Sequence, residues 1–225
     1  MDLADALAWL EEHGSQKVLI EMGPRYGIET SQAFGVSMAE MKKLAKLIGH
    51  DHRLAAKLWS SGWYEARMVA AMVDVAADVT AKQMDRWCAD FDNWAICDTV
   101  CFNLFDRTPH GWSKVDEWAG APEEFRARAA FALLWSLALH DKESPNERFV
   151  YGLELVERES HDPRPYVNKA LLIAMRAISH RNAKLAAATK RSAQRLSKDD
   201  DPMARRLGTR ALKFSRENHH RASGP

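Results

Sequence analysis

The stretch FDNWAICDTVC, residues 91–101, decides how the chain is interpreted, because it predicts one helix with two different faces. Asp92 or Asn93 can cap the N-terminus of this helix by accepting hydrogen bonds from its first backbone N–H groups. Trp94 and Asp98 are one helical turn apart, so they lie one above the other on the same face. The opposite face is small and apolar and is expected to pack against the core. It carries Ile96, Cys97, Val100, Cys101 and Leu104.

The pair of Trp94 and Asp98 allows two interpretations. A carboxylate beside an indole, on a helix with a buried back, is a candidate functional site. The structural alternative is a packed tryptophan beside a solvated acid. Spacing alone favours the structural alternative, and the rest of the sequence has to decide between them.

The composition is that of a globular protein without a secretion signal. The chain has 225 residues, enough for one large or two small domains, and 46% of them are hydrophobic. No apolar run approaches the roughly 20 residues that span a bilayer. The N-terminal segment carries Asp2 and Asp5 without a basic region, so we expect no signal peptide. An odd count of three cysteines makes a poor disulfide framework, which favours a cytoplasmic location.

The charge is distributed unevenly along the chain, although the net charge is only +1. Residues 163–225 contain 15 Lys/Arg and 4 Asp/Glu, a net charge of +11. Residues 1–162 contain 17 Lys/Arg and 27 Asp/Glu, a net charge of −10. A basic C-terminal part on an acidic body is typical of a protein that binds a polyanion. Two oppositely charged surfaces that only aid solubility are the alternative.

The hydrophobic residues recur with a helical period almost throughout, so the sequence predicts an all-α protein. Capping residues such as Ser37, Asp51, Thr80 and Asn182 mark the helix starts. Ser37 with Glu40, and Thr80 with Gln83, have the spacing of capping boxes. Residues 15–35 are interrupted by glycines and are expected to be irregular. The predicted helices cover residues 3–12, 38–48, 52–60, 63–77, 81–89, about 92–106, 114–118, 123–140, 145–159, about 163–180, 183–196 and 203–217.

Pairs of these helices recur every ~35 to 40 residues, the period of helical hairpins stacked into a solenoid. We therefore expect a single domain over residues 1–217 and a disordered tail over residues 218–225. Helix N-termini and basic side chains on the inner surface of a solenoid could hold a phosphate backbone.

Several segments together resemble the AlkD-like DNA alkylation repair family, the HEAT-like-repeat DNA glycosylases. The most specific is LWSSGWYEAR, residues 58–67, which is similar to the family segment Leu-Trp-x-Ser-Gly-x-Tyr-Glu-x-Arg. Asn93-Trp94 with Asp98 resembles the segment that carries the family's catalytic Trp and Asp. The resemblance runs from about Phe34 to Phe214. The other matching segments are Tyr26, residues 34–36, residues 126–130, residues 167–176 and residues 210–213.

The resemblance implies a right-handed α-α superhelix of HEAT-like repeats with a concave basic groove. It also implies a bacterial cytoplasmic protein that binds damaged duplex DNA, as a monomer and without metal or cofactor. The implied site residues are Asp98, Trp94 and Arg128. Candidate DNA contacts are Tyr26, Lys169, Arg176, Arg181, Lys184, Arg205, Arg210 and Lys213, of which the family pattern supports Lys169, Arg210 and Lys213 most.

The chemistry that the resemblance implies is hydrolysis of the bond between deoxyribose and an N3- or N7-alkylated purine. Such a base carries positive charge and leaves with little acid assistance. Asp98 would oppose the charge of the oxocarbenium-like sugar and orient the water. Trp94 would lie against the sugar or the lesion, and Arg128 would hold a flanking phosphate.

One position departs from the family pattern. The alignment on residues 169–176 places Ile173 where the family has its second active-site tryptophan, and Leu172 where it has the preceding glycine. One aromatic wall of the implied site is therefore missing, and two alternatives stay open. One is a relative that binds distorted or branched DNA without excision. The other is a helical-repeat scaffold for protein interactions, for which we expect an apolar or acidic groove.

Other residues are interpreted as structural. Cys97 and Cys101, with Cys88, could in principle bind metal, but their apolar surroundings favour buried thiols. Glu65 is expected to form hydrogen bonds between repeats, whereas the role of Arg67 is left open. The tryptophans with helical core spacing, expected to pack, are Trp9, Trp59, Trp87 and Trp135.

Overall fold

Most helices of the first part of the chain come directly after a Ser, Thr, Asp or Asn that can cap them. A computed structural model describes residues 1–222, with side chains through residue 214. Every regular element in residues 1–222 is helical, which confirms the all-α prediction. By its internal contacts the chain divides into two compact units, residues 1–110 and the residues from 111 onward. The first unit contains α1 (Leu3–Glu12), α2 (Gln16–Tyr26), α3 (Met38–Ile48), α4 (His52–Ser60), α5 (Tyr64–Val73), α6 (Ala81–Ala89), α7 (Trp94–Asn103) and a 3-10 turn (Phe105–Arg107).

Helix α5 is the centre of the first unit. It packs against α1, α3, α4 and α7, so nearly every side chain along it is buried. Small residues such as Ala66, Ala70 and Ala71 let these neighbours approach closely. The position of α5 matters for the candidate site because α7 rests on it.

The second unit is a stack of three helical hairpins. Its second helices contact one another in order, α9 with α11 and α11 with α13, while α10 contacts α12. This is the arrangement that the recurring helix pairs predict. The elements are α8 (Gly111–Trp118), α9 (Glu124–His140), α10 (Asn146–Arg158), α11 (Pro165–Ser179), α12 (Ala183–Leu196) and α13 (Pro202–Ala222).

Four predicted caps form, and each fixes the start of its helix. Ser37 accepts from the backbone N–H of Glu40 at 3.3 Å, and Asp51 accepts from that of Leu54 at 2.9 Å. Thr80 and Asn182 cap α6 and α12 in the same way. The predicted bounds of α3, α4, α6 and α12 are therefore confirmed.

The two expected capping boxes form only in half. The Glu40 carboxylate pairs with Lys43 at 2.6 Å, and the Gln83 amide donates to Asp74 at 2.7 Å. Both side chains thus bond to other side chains, and at each of these helix starts only the capping side chain accepts a backbone N–H.

Two predictions about the first unit were wrong. Residues 15–35 were expected to be irregular, yet residues 16–26 form α2. Pro24 lies in the last turn of α2, where the helix ends soon afterwards at Gly27. Helix α5 ends at Val73 instead of residue 77, because the buried Asp74 carboxylate accepts from the Val75 backbone N–H and the side chains of His52 and Gln83.

Two helix starts in the second unit are also corrected. The helix predicted over residues 123–140 begins one residue later, at Glu124, with Glu123 as the capping residue. Helix α11 begins at Pro165 and not after Asp162-Pro163. The Asp162 carboxylate accepts from the backbone N–H of Arg164 at 2.8 Å, which turns the chain before the helix starts.

Helix α13 continues to Ala222, past its predicted end at residue 217. Of the tail predicted over residues 218–225, residues 223–225 lie outside the described part of the chain, and their disorder stays a prediction. The single domain predicted over residues 1–217 also stays a prediction. Within the described residues, no helix combines the length and apolar composition needed to cross a membrane.

Candidate functional site

The start of α7 is set by Asn93. Its side-chain oxygen accepts from the backbone N–H groups of Ala95 and Ile96, each at 3.0 Å, so Asn93 and not Asp92 is the cap. Asn93 is buried, whereas Asp92 is exposed. This cap makes Trp94 the first residue of α7 and places Asp98 one turn further along the same face.

The two faces of α7 differ as the sequence predicts. Trp94 and Asp98 are both half-buried, and therefore in part accessible. On the opposite face the side chains are fully buried, namely Ile96, Cys97, Val100, Cys101 and the following Leu104.

The cysteines behind α7 belong to the core. Cys88, Cys97 and Cys101 are buried, as predicted for core thiols. Burial, and then the hydrogen bond to Cys97, raise the pKa of the Cys101 thiol. The Cys101 thiol is therefore neutral at physiological pH. Among the described residues, no group of three or more His, Cys, Asp or Glu is arranged to hold a metal ion.

The backbone of Tyr26 contacts the side chain of Trp94. The indole N–H of Trp94 donates to the Tyr26 carbonyl at 2.8 Å. The Tyr26 side chain is 44% exposed, and the Arg25 guanidinium lies over its ring at 5.2 Å. Residue spacing does not predict this backbone contact, although Gly27 directly after Tyr26 indicates a helix end there.

Glu65 has the structural role that was predicted for it. Its carboxylate is fully buried and accepts the backbone N–H groups of Phe34 at 3.0 Å, Gly35 at 2.7 Å and Val36 at 3.1 Å. Glu65 therefore fixes the segment that leads from α2 into α3.

Arg67, whose role was left open, supports the loop before α7. It donates to the Asp90 carbonyl at 3.3 Å, and its guanidinium lies 5.3 Å from the Trp59 ring centre. Trp59 in turn donates to the Asp90 carboxylate at 2.7 Å and stacks on Trp87 at 4.1 Å. Trp59 and Trp87 are thus packed, as predicted, and with Arg67 they hold the chain that leads to Asn93.

Arg128 lies in the second unit, on α9, and is only 1% exposed. It donates to the backbone carbonyl of Tyr166 at 2.7 Å, and its guanidinium carbon is 6.0 Å from the Tyr166 ring centre. Ile173, at the position of the missing tryptophan, is half-buried on α11.

The other candidate DNA contacts also lie in the second unit and fall into two groups. Six are exposed, namely Lys169, Arg176, Lys184, Arg205, Arg210 and Lys213. Arg205 donates to the carbonyls of Asp199 and Asp200. Arg181 is half-buried, donates to the carbonyl of Ala138 at 2.8 Å and lies 3.9 Å from the Phe149 ring centre. Burial lowers the pKa of Arg181.

Comparisons with known proteins agree with this fold. A solved structure matches with a TM-score of 0.77 at 18% identity, over 96% of this chain and 96% of that chain. It is described as "A new family of proteins related to the HEAT-like repeat DNA glycosylases with affinity for branched DNA structures". The predicted HEAT-like repeat fold is thereby confirmed. No curated protein matches the chain at a significant level.

The family assignment rests on the sequence itself. The sequence model of a family described as "DNA alkylation repair enzyme" matches residues 6–198. This range includes the segments on which the resemblance was based, except residues 210–213. Because the match extends over most of its length, the chain belongs to the DNA alkylation repair enzyme family.

Proposed function

We propose that this protein binds duplex DNA and releases cationic alkylated purines by hydrolysing their N-glycosidic bonds. The observation that carries the proposal is the difference in burial between the two faces of α7. Its back is fully buried, yet an acid and an indole at one-turn spacing, Asp98 and Trp94, remain half-buried on its other face. Such a pair can offer a negative charge and an aromatic ring face to a ligand.

The proposed reaction needs few groups. The bond between C1′ of deoxyribose and the purine nitrogen breaks, and its electron pair neutralises the cationic base. Water then bonds to C1′ and gives up one proton, which Asp98 can accept. The Asp98 carboxylate also opposes the positive charge that develops on the sugar. The Trp94 ring face attracts the same charge by roughly 0.5 to 2 kcal/mol.

The second unit would supply phosphate contacts. Exposed cations on α11 and α13, among them Arg176, Arg210 and Lys213, can neutralise phosphates without reading the base sequence. In this proposal Arg128 binds a phosphate next to the lesion. Because Arg128 is buried in the free protein, this contact requires its guanidinium to become exposed when DNA binds.

The test is release of methylated bases from methylated duplex DNA, with binding to the same DNA measured in parallel. We expect release by the wild type and a loss of at least about 100-fold in Asp98→Asn with affinity retained, because the carboxylate acts on the transition state. Asp78→Asn removes an exposed carboxylate from the same unit and should behave as wild type. Equal release by Asp98→Asn and wild type would contradict the role of Asp98.

A second candidate function is favoured by one residue. Ile173 offers no aromatic face where the family pattern has a tryptophan, and this could remove excision while DNA binding persists. The protein would then recognise branched DNA, as the structurally similar protein is described to do. This alternative predicts that a four-way junction competes better than duplex DNA and that neither wild type nor Asp98→Asn releases a base.

A further inference from the structure

We propose that the turn at the end of α2, Arg25 to Gly27, is a positioning element for Trp94. The Tyr26 carbonyl accepts a hydrogen bond from the indole N–H and so fixes the ring in one orientation for contact with a sugar or a cationic base. The role of this turn in DNA recognition rests on the proposed function, whereas the contact between Trp94 and Tyr26 can be tested without DNA.

The turn is built to leave the Tyr26 carbonyl available. Gly27 is in the left-handed conformation with φ 62°, which residues with a Cβ atom adopt at a cost. Its N–H donates to the Gly23 carbonyl at 2.8 Å, and the N–H of Ile28 donates to the Met22 carbonyl at 3.0 Å. These bonds occupy two carbonyls of the last turn of α2, and the Tyr26 carbonyl accepts from Trp94.

The bond determines what Trp94 can offer. An indole has one N–H donor and no acceptor. Since this donor is bound to Tyr26 at 2.8 Å, Trp94 presents only its ring surface to a ligand. The backbone of Trp94 is fixed independently, because Asn93 caps α7 immediately before it. Two separate constraints thus hold the ring, one at its backbone and one at its indole nitrogen.

A ring held in this way is preorganised for contact with a sugar or a cationic base. Such a ring loses little side-chain freedom on binding, and this freedom is otherwise a cost of recognition. At the same turn the Arg25 guanidinium lies over the Tyr26 ring and pairs with the Glu21 carboxylate at 3.0 Å. The turn therefore acts through Trp94, and its residues are positioning residues for it.

The first measurement is hydrogen exchange of the Trp94 indole N–H by NMR, with the resonance assigned from its absence in Trp94→Phe. We expect protection in the wild type and at least about tenfold faster exchange in Gly27→Val, because valine disfavours the left-handed turn. Gly27→Asn should keep the protection, since asparagine tolerates that conformation. Equal exchange in wild type and Gly27→Val would overturn the proposal.

The matched control is Gly49→Val. Gly49 follows α3 with φ 75° and has open space around a built Cβ atom, so the substitution also strains a glycine at a helix end. We expect it to leave indole exchange unchanged, and an equal effect of both substitutions would also overturn the proposal. If Gly27→Val does not fold, Gly27→Ala replaces it, with Gly49→Ala as its control and faster exchange again expected.

The second measurement is affinity for methylated duplex DNA and, where base release occurs, its rate. We expect Gly27→Val to lower affinity or release about three- to tenfold, and Gly27→Asn to restore it. Unchanged affinity and release with faster indole exchange would overturn the role of the turn in recognition. If the wild type neither binds nor releases, the proposed function fails, whereas the exchange experiment still decides the contact.

Discussion

At the scale of single residues, Glu65 explains how an acid can be fully buried in this fold. Three consecutive backbone N–H groups, from Phe34 to Val36, point at its two oxygens. Gly35, the middle residue, has φ 77°, and a Cβ atom there would come within 2.4 Å of the Ser15 carbonyl oxygen. The carboxylate therefore stabilises a sharp turn that has no helical hydrogen bonds of its own.

Glu65→Gln is expected to lower the free energy of unfolding by about 2–3 kcal/mol. The amide nitrogen replaces one acceptor oxygen by a donor, so at least one buried backbone N–H loses its partner. Urea unfolding followed by circular dichroism measures the change. Glu12→Gln, at an exposed position on α1, is the control and should change stability by less than about 0.5 kcal/mol. Equal changes in both variants would contradict this account of Glu65.

Arg181 shows why single cations could not be assigned from the sequence. Its charge and its place in the basic region predict a phosphate contact. In the structure its guanidinium lies against Phe149 and donates to Ala138, a carbonyl near the end of α9. A cation at the C-terminus of a helix is favourable in itself, and charge alone cannot distinguish that role from DNA binding. The distinction depends on which side chains the fold brings together.

At the scale of elements, helix starts could be predicted wherever a capping side chain acts locally. The side chains of Asp51 and Asn182 each accept from a backbone N–H three residues ahead, so the local sequence is enough to predict where these helices start. The end of α5 depends instead on Asp74, whose partners His52 and Gln83 come from other helices. For the candidate site, the α7 faces follow from spacing, whereas the Trp94–Tyr26 bond joins residues far apart in sequence.

The loop that enters α11 gives a prediction about pH. Burial by itself raises the pKa of Asp162, but hydrogen bonds from the Arg164 side chain and backbone, with the Arg164 charge, outweigh it and lower the pKa below 3.8. The unfolded chain therefore binds the proton more tightly than the native one. The resulting stability is present above the unfolded pKa and is lost as pH falls through the native pKa.

Asp162→Asn should accordingly destabilise the protein by about 1–2 kcal/mol at pH 7, through lost charge-assisted hydrogen bonds. Its difference from the wild type should shrink as pH falls from about 5 toward 2. Thermal unfolding across this range measures both effects. Asp200→Asn, which changes an exposed acid in the loop between α12 and α13, should follow the wild-type profile. A difference between Asp162→Asn and wild type that is constant with pH would contradict the assignment.

At the scale of the whole molecule, the distribution of charge distinguishes DNA binding from a protein scaffold. The net charge of +11 over residues 163–225 is divided among α11, α12, α13 and their loops. Some of it is already neutralised, since Arg195 on α12 forms two hydrogen bonds with Glu157 on α10, at 2.9 and 2.6 Å. Arg176 and Arg210 are exposed on α11 and α13, helices that contact each other. These two cations are therefore the better candidates for phosphates.

The salt dependence of DNA affinity tests whether exposed cations such as Arg176 and Arg210 contact phosphates. Each neutralised phosphate contributes about 0.9 to the slope of log affinity against log salt concentration. If Arg176 and Arg210 each contact a phosphate, the double variant Arg176→Ala with Arg210→Ala should lose about two from that slope and bind every DNA sequence more weakly. Arg195→Ala removes a cation that Glu157 already neutralises, so its slope should stay at the wild-type value. Fluorescence anisotropy with duplex and four-way junction DNA, from about 50 to 300 mM salt, measures these slopes. An equal loss of slope in Arg195→Ala would mean that the slope depends on the total charge of this region and not on contacts by particular residues. A wild-type slope near zero would favour a protein partner over DNA.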